Sequence, residues 1–219
     1  MGKIVGIIGT RLPVISNAMR TERRHQIRQC VTDVLFSIKP VDHIVITLDD
    51  HTGPWIAHTL RTLQVPYTAV VSAERPPVQK CRYYKNKAAQ VLSVWPDKSL
   101  TIVTRRQLSK DFMQKDPIHH CKPDVLKRMI CFMTVNQKVI DMSTDLIHFV
   151  CNKGGVTAWT TVSALEKFND ESYFRWNLGT SAMRGYKTIR SINKTKELKK
   201  EITQNLSSFC AADEDDMPF

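Results

Sequence analysis

The 219-residue chain lacks paired cysteines, long apolar runs and enough acid to balance its bases. Its six cysteines (30, 81, 121, 131, 151 and 210) include no C-x-x-C and no close pair. That spacing predicts buried, reduced thiols in a reducing compartment, and argues against a disulfide framework. His119-His120-Cys121 is a poor metal set, because three consecutive side chains do not converge on one ion and no second ligand pair supports them. No metal or cofactor is expected. No apolar run approaches the roughly 18 residues of a membrane span, and the N-terminal stretch has no signal-peptide core. These absences predict a soluble, cytoplasmic protein with no membrane partner. Internal repeats, zinc fingers and other duplex-reading motifs are absent as well.

The shortage of acid is the informative one. Thirty-two Lys and Arg against 21 Asp and Glu leave a formal charge of +11, which favours a polyanionic partner over mere solubility. With 42% apolar residues the chain can still build a proper core.

Its first element predicts where that core begins. Ile4 to Ile8 is an unbroken apolar and small run, as in a parallel strand buried on both faces. It ends at Gly9-Thr10-Arg11, a turn that either offers N–H groups and a cation to a phosphate or simply leads into a helix. Ser16 to Ile38 reads as that helix: Ile27, Cys30, Val31, Val34, Leu35 and Ile38 mark one face, and Arg20, Arg23, Arg24 and Arg28 the other. A strand over His43–Leu48, a helix over Trp55–Leu63 and a strand over Tyr67–Val71 follow. Strands alternating with helices at this pitch predict an α/β fold, a mostly parallel sheet with helices on both faces.

Ser72 to Lys87 reads as a basic loop, with five cations against Glu74. Tyr83-Tyr84 between Arg82 and Lys85 is a composition that stacks bases and holds phosphates, or alternatively packs on the body. A helix over Lys87–Val94, a strand over Leu100–Val103, a polar excursion over Arg105–Lys122 and a helix from Asp124, ending near Asn136, are expected next. Leu146–Val150 is a further buried strand. It opens into Asn152-Lys153-Gly154-Gly155-Val156-Thr157 ahead of a helix over Ala158–Phe168, a second candidate phosphate cradle.

Taken together, four of these segments resemble the SLOG superfamily, the Rossmann-like group that includes DprA and the LOG phosphoribohydrolases. Ile7-Ile8-Gly9-Thr10-Arg11 is similar to the opening strand and turn. Gly53 with Ala57-His58 is similar to the second loop and helix, Asn136 to Ser143 to the Arg-Asn-…-Ser stretch, and Lys153-Gly154-Gly155-Val156-Thr157 to the Gly-Gly-x-Gly-Thr loop. The resemblance implies a Rossmann-like domain over residues 1–170. It also implies a nucleotide-handling enzyme, but Trp159, Thr160 and Thr161 stand where the hydrolases carry a glutamate, and Asp49 and Asp50 stand where glycines would admit a phosphate. No catalytic residue is therefore expected. The alternatives are a nucleotide N-glycosidase or phosphoribohydrolase using Asp49 or Asp50, and a nucleotide sensor using the Gly9–Arg11 and Gly154–Thr157 loops.

From Tyr173 to Lys200 there are eight cations and one acid, Glu197, with Tyr173, Phe174, Trp176 and Tyr186 among them. Arg175, Trp176, Arg184, Tyr186 and Lys187 read as contacts to an unpaired strand, within a basic extension over residues 171–205. Residues 206–219 read as a flexible acidic tail. Its end, Asp213-Glu214-Asp215-Asp216-Met217-Pro218-Phe219, resembles the acidic tip of bacterial and phage single-stranded-DNA-binding proteins. That likeness implies recruitment of replication or repair enzymes by the tip. No OB-fold pattern accompanies it, so the expected protein is a phage-encoded single-stranded-DNA binder of replication or recombination on a Rossmann-like scaffold, with a homo-oligomer among the forms open to it. Its expected groove joins Arg11, the Arg20–Arg28 face, the Arg82–Lys87 loop, Lys153 and the Tyr173–Lys200 segment.

Overall fold

The computed structural model describes residues 2–10, 16–38, 40–48, 51–75, 79–97, 99–100, 123–151, 155–169, 171–178 and 187–190, the last by backbone alone. The opening strand is β1 (Lys3–Ile8), followed by α1 (Asn17–Ile38), β2 (Val41–Thr47), α2 (Gly53–Thr62) and β3 (Thr68–Ser72). Then come α3 (Gln79–Lys85), β4 (Gln90–Val94), α4 (Pro123–Met142), β5 (Asp145–Val150), α5 (Gly155–Lys167), β6 (Tyr173–Asn177) and β7 (Lys187–Arg190). The strands form one sheet in the order β4-β3-β2-β1-β5-β6-β7. The first six run parallel, and β7 pairs antiparallel with β6. This is an α/β, Rossmann-like arrangement.

The chain moves outward from β1 to β4, then crosses back over β1 to β5 and β6. Right-handed crossovers put the helices of opposite directions on opposite faces. The cores follow that rule. Val5, Ile7, Ile44, Ile46, Ile147 and Phe149 face the core shared with α1, α2 and α3. Ile8, Val45, Val70 and Leu146 face the core shared with Val135, Val139 and Ile140 of α4 and Ala164 and Leu165 of α5. Lys167 fixes α5 to its neighbour by donating to the carbonyls of Ile140 and Asp141 in the last turn of α4. The direction reverses between β1 and β5, so the crevice at their C-terminal ends is the topological switch point, where open α/β sheets hold ligands.

Four expectations change. The basic loop over Ser72–Lys87 contains α3, because Cys81 is buried and Tyr84 is held by the Tyr67 hydroxyl, which donates to its carbonyl at 2.8 Å. The helix expected over Lys87–Val94 is a turn and strand β4: β3 presents an open edge, and Leu92 and Val94 turn towards the second core. The helix expected to end near Asn136 runs on to Met142, since Val139 and Ile140 continue its buried stripe. Finally, the body does not stop at residue 170. Phe174 and Trp176 enter one core and Tyr173 the other, so these three aromatics of the expected extension are sheet interior. The strand expected over Leu100–Val103 falls, from residue 101 on, outside the described residues, as do the excursion over 105–122 and the tail.

Among the described residues, no helix is long and apolar enough to cross a membrane, and no cluster of three His, Cys, Asp or Glu is placed to hold a metal. Cys30, Cys81, Cys131 and Cys151 are buried and form no disulfide.

Candidate nucleic-acid interface

A groove of about 630 Å³ lies where α1, α2 and α3 meet on one face of the sheet. The helix periods build it. Thr21, Arg24, His25 and Arg28 project from α1, Trp55 and His58 from α2, and Tyr83 and Tyr84 from α3. Pro54 in the first turn of α2 and the half-buried Trp55 also line it. No carboxylate is among the described residues that line it.

Its rings and cations are already in contact. The Arg24 guanidinium lies 5.0 Å from the Trp55 ring centroid, and that of Arg61 lies 5.3 Å from the Tyr83 ring. Arg61 also donates from Nη1 to the Tyr83 hydroxyl at 2.8 Å. Tyr83 and Tyr84 meet edge-on with centroids 5.1 Å apart, and His58 meets Tyr84 edge-on at 6.4 Å. Partial burial raises the Tyr84 phenol, so it stays neutral at physiological pH. Tyr83 is 51% exposed, an unusual cost for an aromatic that packing alone would have drawn inward.

Several expected contacts are therefore neighbours. Arg24, Tyr83 and Tyr84 line the groove; Arg20 stands one turn before Arg24 on α1, and Arg82 and Lys85 belong to α3 beside the tyrosines. Trp55, His58 and Arg61 complete the cluster. Their three-residue spacing on α2 is visible in the sequence, where only Trp55 marks a helix start. Arg23 leaves the set: it is buried, and its Nη1 donates to the Cys151 sulfur at 3.1 Å.

The remaining expected contacts do not join this groove. At the switch point, the Gly9 N–H donates to the Thr47 hydroxyl (3.1 Å) and the Thr10 N–H to the Thr52 hydroxyl (2.7 Å), so both amides already have partners inside the protein. Thr157 lies 3.4 Å from Thr10, hydroxyl to hydroxyl, and Gly155 begins α5. Asn136 is buried and donates to the Thr160 hydroxyl at 2.8 Å, which ties α4 to α5. Arg175 and Trp176 are buried on opposite faces of β6, unable to stack on a passing strand. Lys187 opens β7. Arg11, Lys153, Gly154, Arg184, Tyr186 and the tail residues Asp213–Phe219 lie outside the described residues, together with Asp49 and Asp50. The single expected groove thus separates into an aromatic, cationic cleft over α1–α3 and a hydroxyl-rich crevice at the switch point.

No protein-family model, curated protein or solved structure matches this chain.

Proposed function

We propose that the chain binds single-stranded DNA in the α1–α2–α3 groove and acts by binding, not by catalysis. The observation that carries this reading is the convergence of Trp55, Tyr83 and Tyr84 with Arg24 and Arg28 around one cleft whose described lining holds no carboxylate, with Arg61 on the Tyr83 ring beside it. Aromatic faces accept unpaired bases of any sequence, and guanidinium groups follow the phosphates. A duplex hides its base faces, so the same cleft offers it only charge. The excess of 11 positive charges adds long-range attraction. The likeness of Asp213–Phe219 to the tip of single-stranded-DNA-binding proteins supports a role in phage replication or recombination, with the tip recruiting partner enzymes.

Fluorescence anisotropy with labelled single-stranded and duplex oligonucleotides tests this. The single strand should bind more tightly, with little sequence preference, and the logarithm of affinity should fall with log salt by about 0.7 per phosphate contacted. Protein ending at Ala212 should bind as tightly as the full chain or more so. Equal affinity for duplex, or binding that ignores salt, would overturn the reading.

A further inference from the structure

A buried cation lies on the opposite face of the sheet. Arg175 is only 5% exposed, and its Nε and Nη1 groups have no hydrogen-bond partner. A guanidinium cannot shed its charge at any physiological pH, so burial without a partner is unfavourable unless an anion completes it. Arg175 stands beside His148 in the sheet register and on the same face, under α5. His148 in turn shares a 2.9 Å hydrogen bond with the Tyr173 hydroxyl, so neither neighbour supplies a negative charge.

The periods of strand and helix locate the guanidinium along α5. The Tyr173 hydroxyl lies against Thr161 of α5. Arg175 lies two residues further along β6, about 7 Å towards the C-terminal edge of the sheet. Thr157 lies four residues earlier on α5, about 6 Å in the same direction, because the helix descends as the strand climbs. Arg175 is thus level with the first turn of α5, where the helix N–H groups lack intrahelical partners and the helix dipole is positive. Val156 and Thr157 are half-buried, so this turn reaches solvent while Arg175 beneath it does not.

We infer that Arg175, Thr157 and the first turn of α5 form a binding site for an oxyanion of the phosphate class at the β1/β5 switch point, separate from the α1–α3 groove. The helix turn and the Thr157 hydroxyl would hold the outer oxygens, and Arg175 would neutralise the charge from below.

The test is thermal unfolding of the full chain in phosphate-free buffer, titrated with inorganic phosphate at ionic strength held constant with chloride. Wild type should gain roughly 5–10 °C at about a hundred times the dissociation constant, and the rise should continue with the logarithm of phosphate concentration beyond it. Arg175→Met should show no rise and should melt at or above wild type before phosphate is added, since an apolar side chain of similar length replaces a buried charge with two unmet donors. Thr157→Val should melt like wild type yet need several-fold more phosphate. A phosphate response retained by Arg175→Met, or absent from wild type, would overturn the site. So would an Arg175→Met protein that is much less stable than wild type without phosphate, because an acid of the chain itself would then be the partner.

Discussion

Tyr83→Ser and Trp55→Leu are each expected to weaken binding of a single-stranded oligonucleotide by about 5- to 150-fold, the equivalent of one lost stacking contact of roughly 1–3 kcal/mol. Tyr83 is half-exposed and can be shortened with little effect on folding. Trp55 packs partly against the core, so leucine is chosen to keep that contact while removing the flat face. Both rings now carry a guanidinium. A base that stacks on Trp55 or Tyr83 displaces Arg24 or Arg61, and the released cation is then free to meet the adjacent phosphate. Arg24→Gln should therefore act differently from the ring variants, lowering affinity evenly across sequences and reducing the salt slope by about 0.7. Anisotropy titrations at three salt concentrations separate the two behaviours, with melting temperature as the control for folding. Ring variants that bind like wild type would remove the groove from the account.

The second large effect concerns acid. His148 is buried, and its pKa is lowered from 6.5 to about 3, first by desolvation and then by the Arg175 charge beside it. Folded protein keeps this imidazole neutral while the unfolded chain protonates it near pH 6.5, so the unfolded state binds the extra proton throughout that window. Stability from this residue is complete above pH 6.5 and is lost progressively as pH falls towards 3. Between pH 6.5 and 4.5 the loss amounts to about 2–3 kcal/mol, or a fall of roughly 5–10 °C in melting temperature. The Tyr173 phenol does not offset this, because burial pushes its pKa upward and it stays neutral. His148→Asn leaves a hydrogen-bonding group for Tyr173 but no titrating one. Its melting temperature should fall less steeply than wild type over the same interval, and parallel profiles would contradict the buried, neutral imidazole.

The fold was legible in the chain wherever hydrophobic period decided it. The runs at Ile4–Ile8 and Leu146–Val150 are buried on both faces, and such runs have few alternatives to a parallel strand. Period failed where one residue set suited two roles. Gln90–Val94 carries too few residues to distinguish a helical stripe from an edge strand, and only the open side of β3 decides it. The Tyr173–Trp176 segment looked like a nucleic-acid surface because aromatics beside cations also describe a sheet interior with one buried arginine. Alternation, with Tyr173 and Arg175 to one face and Phe174 and Trp176 to the other, was the signal available in the sequence.

The site was legible in part for the same reason. Arg24, Tyr83 and Tyr84 stood out by composition, and the fold brings them to one cleft. Trp55, His58 and Arg61 did not, since their meaning depends on α2 lying between α1 and α3. Gly9 and Thr10 suggested a phosphate cradle, yet Thr47 and Thr52, some forty residues away in sequence, occupy their amides. Which hydroxyl reaches which amide is a property of the sheet order and could not be read locally.

The most direct test of the central claim is photocrosslinking of a halogenated-uracil single strand to the full chain, followed by identification of the joined peptides. Crosslinks at Trp55 and at Tyr83 or Tyr84, reduced by competing unlabelled single strand and by salt, are the predicted result. Efficient crosslinking that misses all three rings would contradict it and place the nucleic acid elsewhere on the protein.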